Sequence, residues 1–234
     1  MPIPKPMIWF LRLTTMVVVA ATVPALARTQ QPGAPAAKTA RTFPSDSAIL
    51  AIIKQRVEEK RSAGIVVGLV EPDGRTRIVA FGDPGPGKPP LDGNTVFEIG
   101  SISKVFTSTV LAQMVLEGKV KLDDPAQKFL PAGVQLPTRN GKQITLGNLS
   151  MQNSGLPRMP TNFNPKDLSN PYADYSVQQM YDFLSGLKLT RDPGEQFEYS
   201  NLGVGLLGHV LSLVSGKSYE QLEQERVWAP LGMT

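Results

Sequence analysis

An α+β fold class is predicted by three features of this 234-residue sequence. Apolar residues recur at helical spacing from Ile49 to Val57 behind a Ser-Asp cap, which predicts a first amphipathic helix. Two runs rich in β-branched residues, GIVVGLV and TRIVAFG, flank the turn residues EPDG at positions 71–74, which predicts a hairpin. Further apolar stretches with helical spacing follow. We therefore expect one early hairpin in a largely helical domain.

The downstream helices are predicted from their caps and their apolar spacing. Asp123-Asp124-Pro125 begins a short helix, and Thr145 caps another that runs through Leu149. Three longer helices are predicted in SVQQMYDFLS, NLGVGLLGHVLSLVSG and SYEQLEQERVWAPLG. Residues 157–175, rich in Asn and Pro, show no periodic pattern.

Composition limits the possible chemistry. The chain has one histidine, His209, and no cysteine, so a Ser-His-Asp triad has at most one candidate base. Cysteine nucleophiles, disulfides and cysteine-bound zinc are excluded. His209 lies on an apolar helix without a second histidine, so we expect it to be packed rather than a ligand or a base. We expect neither a metal nor a cofactor.

The start of the chain has the pattern of a secretory signal. Lys5 and Arg12 form a basic start, an apolar run follows, and Ala25-Leu26-Ala27 is a small-residue end. The apolar run from Leu13 is shorter than the roughly 20 residues of a spanning helix. We therefore predict a signal peptide at 1–27, a flexible linker at 28–44 and one domain at 45–234, secreted or periplasmic, with no stable membrane span after cleavage.

Neither nucleic acid nor nucleotide is an expected partner. The chain has 24 basic and 20 acidic residues, and they are interleaved, as in KQRVEEKR at 54–61, which is typical of a solvated helix face. Gly216-Lys217-Ser218 resembles the end of a phosphate-binding loop, but Leu211 stands where the first glycine would be required. A small molecule or a peptide is the expected substrate.

The segment FEIGSISK, residues 97–104, contains the first candidate for chemistry. We predict a short strand at Val96–Ile99, a sharp turn at Gly100, and a helix from Ser101 to Glu117 that is buried on most sides. Ser101 and Lys104 then share one helix face, near enough for the lysine nitrogen to reach the hydroxyl. A second Ser-x-x-Lys pair, Ser185 and Lys188, falls where a helix ends, so we expect no chemistry there.

Two interpretations of Ser101 remain open on these residues alone. At a helix start the free N–H groups favour negative charge on an attacked carbonyl oxygen. The same dipole, with burial among Ile99, Ile102 and Phe106, would favour a neutral Lys104 amine that can accept the serine proton. Alternatively, Ser101 is an ordinary N-cap and Lys104 a surface residue.

The segment FEYSNLG, residues 197–203, contains two further candidates. Tyr199 and Asn201 lie two apart just before a helix that Ser200 can cap. A tyrosine hydroxyl near a lysine can shuttle protons, because the cation stabilises the phenolate. The Asn201 amide offers a donor and an acceptor to a peptide-like substrate. The alternative is a turn followed by a capped helix with no further role.

Taken in order, FEIGSISK, LDDPAQKFLP, YSN and WAPLGMT resemble the class C-like branch of the serine β-lactamase and penicillin-binding-protein superfamily. The resemblance runs from about Ser45 to Thr234. It implies a β-lactamase/transpeptidase-like fold, with an antiparallel sheet flanked by helices plus a helical subdomain. It also implies that Ser101 is acylated, that Lys104 and Tyr199 transfer protons, and that Asn201 contacts the substrate amide.

Two departures from the family pattern qualify this resemblance. Gln152-Asn153 stands where the family usually has His-Thr, which would alter the floor of the site. The third motif, Lys/His-x-Gly on a late strand, is missing from these residues, so we expect a C-terminally truncated chain that lacks the later sheet strands.

The function that we expect is an exported serine hydrolase forming an acyl-enzyme with a β-lactam or a D-alanyl peptide, as a β-lactamase or a D-Ala-D-Ala carboxypeptidase does. The alternatives are an esterase or a D-aminopeptidase on the same scaffold, and a non-hydrolysing penicillin-binding protein or inactive fragment.

Overall fold

The computed structural model of the protein describes residues 43–233. The predicted signal peptide at 1–27, and the predicted linker up to residue 42, lie outside the described residues. Contacts group the chain into two compact units that meet in sequence at Thr95 and Val96. The boundaries 45–234 of one domain stay a prediction.

The first unit is a helix packed on a hairpin. It contains α1 (Asp46–Glu58), β1 (Gly64–Val70) and β2 (Thr76–Gly82). The Ser45 side chain accepts a hydrogen bond from the Ala48 N–H and so caps α1. The strands pair antiparallel with Gly64 opposite Gly82. The predicted helix and hairpin are confirmed, and a small core joins them: Ile49, Ile53, Leu69 and Val79.

Every regular secondary-structure element of the second unit is a helix or a helical turn. Its elements are a 3-10 turn (Gly100–Ile102), α2 (Ser103–Leu116), a 3-10 turn (Ala126–Phe129), α3 (Leu146–Ser150), α4 (Val177–Gly186), α5 (Asn201–Ser215), α6 (Tyr219–Glu223) and a π-helical turn (Gln224–Trp228). In residues 43–233, β1 and β2 are the only strands. The predicted helices in this unit are confirmed as helical segments, but the one after Asp123-Asp124-Pro125 is only a 3-10 turn, and SYEQLEQERVWAPLG divides into α6 and the π-helical turn. No helix of the described range is long and apolar enough to cross a membrane.

Helices α2 and α5 form the centre of the second unit's core. Their facing side chains are inaccessible to solvent: Val110 and Met114 on α2, and Leu206, Leu207 and Val210 on α5. Each large aliphatic side chain buried in this way contributes roughly 1.5–3 kcal/mol relative to an exposed one. This packing holds the start of α2 beside the segment that leads into α5.

Two predictions around α2 are wrong. Val96–Ile99 forms no strand and is irregular. The helix is not buried on most sides, because Val105 and Leu116 are 62% and 88% exposed. Only the face containing Val110 meets neighbouring helices within the described chain. The apolar composition of α2 therefore does not reveal which side is covered.

Candidate active site

Ser101 lies inside the 3-10 turn that precedes α2, and its hydroxyl does not cap a helix. Gly100 has φ 53°, in the left-handed region where a residue with a Cβ is strained. In the described chain, the Ser101 N–H makes no backbone hydrogen bond. Its Oγ instead hydrogen-bonds with the Tyr199 hydroxyl and accepts one from Lys104 Nζ at 3.2 Å. The N-cap interpretation of Ser101 is therefore wrong.

Lys104 occupies the first turn of α2, one turn after Ser101. Its Nζ lies 5.0 Å from the centroid of the Tyr199 ring, so a cation here interacts with both the ring and the serine hydroxyl. The apolar enclosure expected around it is only partly present, because Ile99 and Ile102 are 47% and 60% exposed in this structure. Phe106, which is half-buried, is the member of the expected set that packs against the core.

Tyr199 is brought to Ser101 from 98 residues further along the chain. The hydrogen bond with Lys104 lowers the pKa of Tyr199, the one with Ser101 lowers it further, and the charge of Arg158 adds to the effect. A cation beside a phenol stabilises the phenolate, so the phenol loses its proton more readily. The structure thus brings three of the predicted residues, Ser101, Lys104 and Tyr199, within hydrogen-bonding reach.

Gln152 supports the segment that carries Tyr199. Its backbone, at φ 60°, and its side chain both face residues 198–200. The Gln152 carbonyl accepts a hydrogen bond from the Glu198 N–H at 2.7 Å, and its Oε1 accepts one from the Ser200 N–H at 2.6 Å. Gln152, at the position where the family usually has histidine, therefore holds the backbone on both sides of Tyr199 through two hydrogen bonds.

Asn201, the first residue of α5, does not hydrogen-bond with Ser101 or Lys104. Its Nδ2 donates to the Met159 sulfur at 3.4 Å, and its backbone N–H donates to the Arg158 carbonyl at 3.0 Å. It nevertheless lines the same cavity, of about 700 Å³, as Ser101 and Lys104. Asn201, the fourth predicted residue, therefore lines the same cavity as Ser101 and Lys104 without a hydrogen bond to either.

Arg158 was not anticipated from the sequence. Its guanidinium carbon lies 4.9 Å from the centroid of the Tyr199 ring, so two cations flank this ring. The residue is exposed and lies in the irregular stretch 157–175, where no periodicity marks it. Its contact with the Tyr199 ring places it at the site.

The other polar candidates do not hydrogen-bond with this cluster, although His209 lines the same cavity as Ser101. The His209 ring stacks edge-on against Tyr181 at 5.4 Å and hydrogen-bonds with its hydroxyl, and burial lowers the pKa of His209. It is packed, as expected. Ser185 accepts a hydrogen bond from the Gln135 N–H at the end of α4, as expected for a helix terminus. Gly216, at φ 68°, is the C-cap residue of α5, and this role accounts for the glycine without a phosphate-binding loop.

The described residues contain no group of three or more His, Asp or Glu side chains able to hold a metal ion. The chemistry available in the cavity is that of a hydroxyl between a phenol and an amine, at the start of a helix. Such a group can attack a carbonyl and pass its proton to a neighbour.

Comparison with known proteins decides the family. The family model for beta-lactamase matches residues 49–234. The chain belongs to the beta-lactamase family. Its fold is accordingly α+β, of the beta-lactamase/transpeptidase type, and the described part contains the β1–β2 hairpin and the helices of that fold.

Three relatives illustrate the range of the family. The chain is 39% identical over 172 residues to the D-alanyl-D-alanine-carboxypeptidase/endopeptidase AmpH of Escherichia coli, covering 71% of this chain and 43% of the relative. A solved beta-lactamase/D-alanine carboxypeptidase from Yersinia pestis has a TM-score of 0.66 at 28% identity, covering 81% and 55% of the two chains. D-amino acid amidase from Ochrobactrum anthropi has a TM-score of 0.66 at 29% identity, covering 81% and 51%. The chain therefore spans about half the length of these relatives.

Proposed function

We propose that this protein is an exported serine hydrolase that forms an acyl-enzyme at Ser101 with a β-lactam or a D-alanyl peptide. The observation that supports it most is that the Ser101 hydroxyl interacts with both the Tyr199 hydroxyl and Lys104 Nζ. The family membership supports hydrolysis, and two relatives act, by their names, on D-alanyl or β-lactam substrates.

Acylation begins with attack by Ser101 Oγ on the substrate carbonyl. The serine proton moves to the Tyr199 and Lys104 pair, because the lowered pKa of Tyr199 makes the phenolate accessible. The Ser101 N–H, which has no backbone partner in the described chain, is free to donate to the developing oxyanion. The C–N bond breaks as the leaving nitrogen takes up the proton; the amine departs from a D-alanyl peptide and stays attached in an opened β-lactam, and Asn201 holds the amide portion of the substrate.

Deacylation reverses the proton path. Water attacks the ester carbonyl, Tyr199 with Lys104 accepts its proton, and the bond to Ser101 Oγ breaks as the hydroxyl is regenerated. Each proton in this scheme passes among the substrate, water and the side chains of the cluster, so the scheme uses neither a metal nor a cofactor. The basic, apolar and small-residue pattern of 1–27 supports export.

A second candidate is hydrolysis of an amide of a D-amino acid on the same cluster. The likeness to D-amino acid amidase supports it, because that protein acts on a carbonyl next to a D-configured carbon. An esterase, a non-hydrolysing penicillin-binding protein and an inactive fragment are the further alternatives to separate.

The test is to incubate the full chain with a chromogenic cephalosporin, a fluorescent penicillin, a D-alanyl-D-alanine peptide, a D-amino acid amide and a nitrophenyl ester. Turnover of the cephalosporin or release of D-alanine supports the proposal, and a stable penicillin adduct without release of D-alanine indicates a receptor. Ser101→Ala should abolish every one of these activities. Ser185→Ala, in the other Ser-x-x-Lys pair, is the matched control and should keep them all. Activity that survives Ser101→Ala refutes the assignment of the nucleophile.

Export is tested separately. The mass of the protein recovered outside the cytoplasm should correspond to a chain that begins at Arg28. A chain recovered only in the cytoplasm, with its first 27 residues intact, contradicts export without bearing on Ser101.

A further inference from the structure

A second cavity of about 270 Å³ lies in the same unit, and its wall is mainly aromatic and aliphatic. We call it the aromatic pocket and define it by five of its aromatic and methionine lining side chains: Met159, Phe163, Tyr172, Tyr175 and Met180. All five lie in the irregular stretch before α4 or in α4 itself. Asp, Glu, Lys and Arg are absent from the lining.

The walls of the aromatic pocket are held by contacts among themselves. The Phe163 ring packs at 5.3 Å from the Tyr172 ring and at 5.5 Å, edge-on, from the Tyr175 ring. The Tyr175 hydroxyl donates to Asn162 Oδ1 at 3.0 Å, and Asn162 Nδ2 donates to the Gln179 carbonyl at 2.8 Å. Because these polar groups already bond with one another, they leave ring faces and methyl groups toward the cavity.

The aromatic pocket adjoins the cavity that contains Ser101. Four residues line both spaces: Tyr172, Asn201, Gly205 and His209. Gly205 lies within α5, and a Cβ placed on it would meet no atom within 4 Å. The absent side chain at position 205 therefore leaves open space where the two cavities adjoin, and we call this space the passage.

We propose that the aromatic pocket binds an apolar side chain, aromatic or branched aliphatic, on the carbon next to the carbonyl that Ser101 attacks. This inference rests on the proposed function, since it assumes a substrate bound at Ser101. A space of 270 Å³ equals about nine water molecules at roughly 30 Å³ each, which suits one ring or branched side chain. A charged side chain is excluded, because burial without an opposite charge is costly.

The binding test uses the full chain carrying Ser101→Ala, which cannot be acylated. Calorimetry compares N-acetyl-D-phenylalaninamide with N-acetyl-D-alaninamide. We expect the phenylalanine amide to bind at least tenfold more tightly, because its ring leaves water for an apolar wall. Adding Gly205→Leu should remove most of this preference by filling the passage. Leucine is a better helix former than glycine, so the variant should fold.

The matched control is Gly186→Leu, at the end of α4. A Cβ there also meets no atom within 4 Å, but Gly186 lines neither cavity, so the tenfold preference should persist. Equal affinity for the two amides, or a preference that Gly205→Leu leaves intact, overturns the proposal.

Turnover separates this inference from the proposed function. With Ser101 present, the ratio of kcat/KM for the D-phenylalanyl to the D-alanyl nitrophenyl ester should exceed ten and fall toward one in Gly205→Leu. If the protein binds the phenylalanine amide preferentially but turns over no substrate, the proposed function is refuted and the proposal for the aromatic pocket is retained. Turnover without a preference for the larger side chain refutes the pocket alone.

Discussion

Replacing Glu223 with methionine should stabilise the protein. Glu223 ends α6 and is 2% exposed, and in the described part of the chain neither carboxylate oxygen has a hydrogen-bond partner. The nearby Tyr219 hydroxyl hydrogen-bonds with Thr107 instead, at 2.5 Å. Burial therefore raises the pKa of Glu223. Methionine has a similar length and no group that requires a polar partner.

The size of the effect follows from the unsatisfied carboxyl group. A buried polar group without a partner costs about 1–3 kcal/mol, so Glu223→Met should raise the free energy of unfolding by that amount at pH 8. Because the folded pKa is raised, the unfolded state releases its proton first as pH increases. The contribution of Glu223 to stability thus falls as pH rises from the ordinary glutamate pKa of about 4.3 toward the raised value. The methionine variant should not show this loss of stability with rising pH.

The assay is urea denaturation of the full chain at pH 4 and pH 8, followed by circular dichroism. Glu225→Met is the control, since Glu225 is exposed and its ion pair with Lys217 is worth about 0–1 kcal/mol. It should leave the protein unchanged or slightly less stable. A Glu223→Met protein less stable at pH 8 than this control would mean that the carboxylate has a bonding partner, and the reasoning would be wrong.

Three further changes test other contacts. Tyr199→Phe should lower the rate of acylation by about 10²–10⁴-fold in stopped-flow measurements, because the hydroxyl that accepts the proton is lost; an unchanged rate would leave Lys104 as the sole base. Gly208→Ala should destabilise the fold by about 1–3 kcal/mol in thermal denaturation, since the new Cβ would lie 2.9 Å from the Tyr219 ring. An unchanged midpoint would show that the ring can move aside. Two hydrogen bonds from Arg226 lower the pKa of Glu117 to about 2, so this pair contributes stability above the ordinary glutamate pKa and loses it as pH falls toward 2. Acid denaturation of Glu117→Gln should therefore be flatter between about pH 4 and pH 2, and a curve of unchanged slope would contradict the pairing.

The elements that the sequence predicted correctly are those specified by neighbouring residues. Ser45 and Thr145 cap helices because a side-chain oxygen reaches an N–H three residues ahead. The hairpin at 64–82 forms because turn residues separate two β-branched runs. The sequence erred at Val96–Ile99 and on the exposed side of α2, since β-branched and apolar residues suit a strand or a buried face only when a partner covers them.

For the candidate site, Ser101, Lys104, Tyr199 and Asn201 could be selected from the sequence, and Gln152 could be placed near the floor of the site, but Arg158, the contacts of Gln152 and the aromatic pocket could not. The four selected residues belong to short motifs with fixed spacing. The others act through contacts with residues tens of positions away, as between Gln152 and Ser200, and no local pattern marks such contacts.

The sequence by itself determined that Ser101 and Lys104 lie close together, since residues three apart are neighbours along one side of a helical turn, whether it is 3-10 or α-helical. It also excluded a cysteine nucleophile, because the chain has none. Only the tertiary structure decided that Tyr199 meets Ser101 across 98 residues and that Gly205 lines two neighbouring cavities. The physical reason is the separation in sequence over which each kind of interaction acts. Helix periods, caps and turns depend on neighbouring hydrogen bonds, whereas the packing of α2 on α5 buries side chains from distant segments and so fixes which of their polar groups come together.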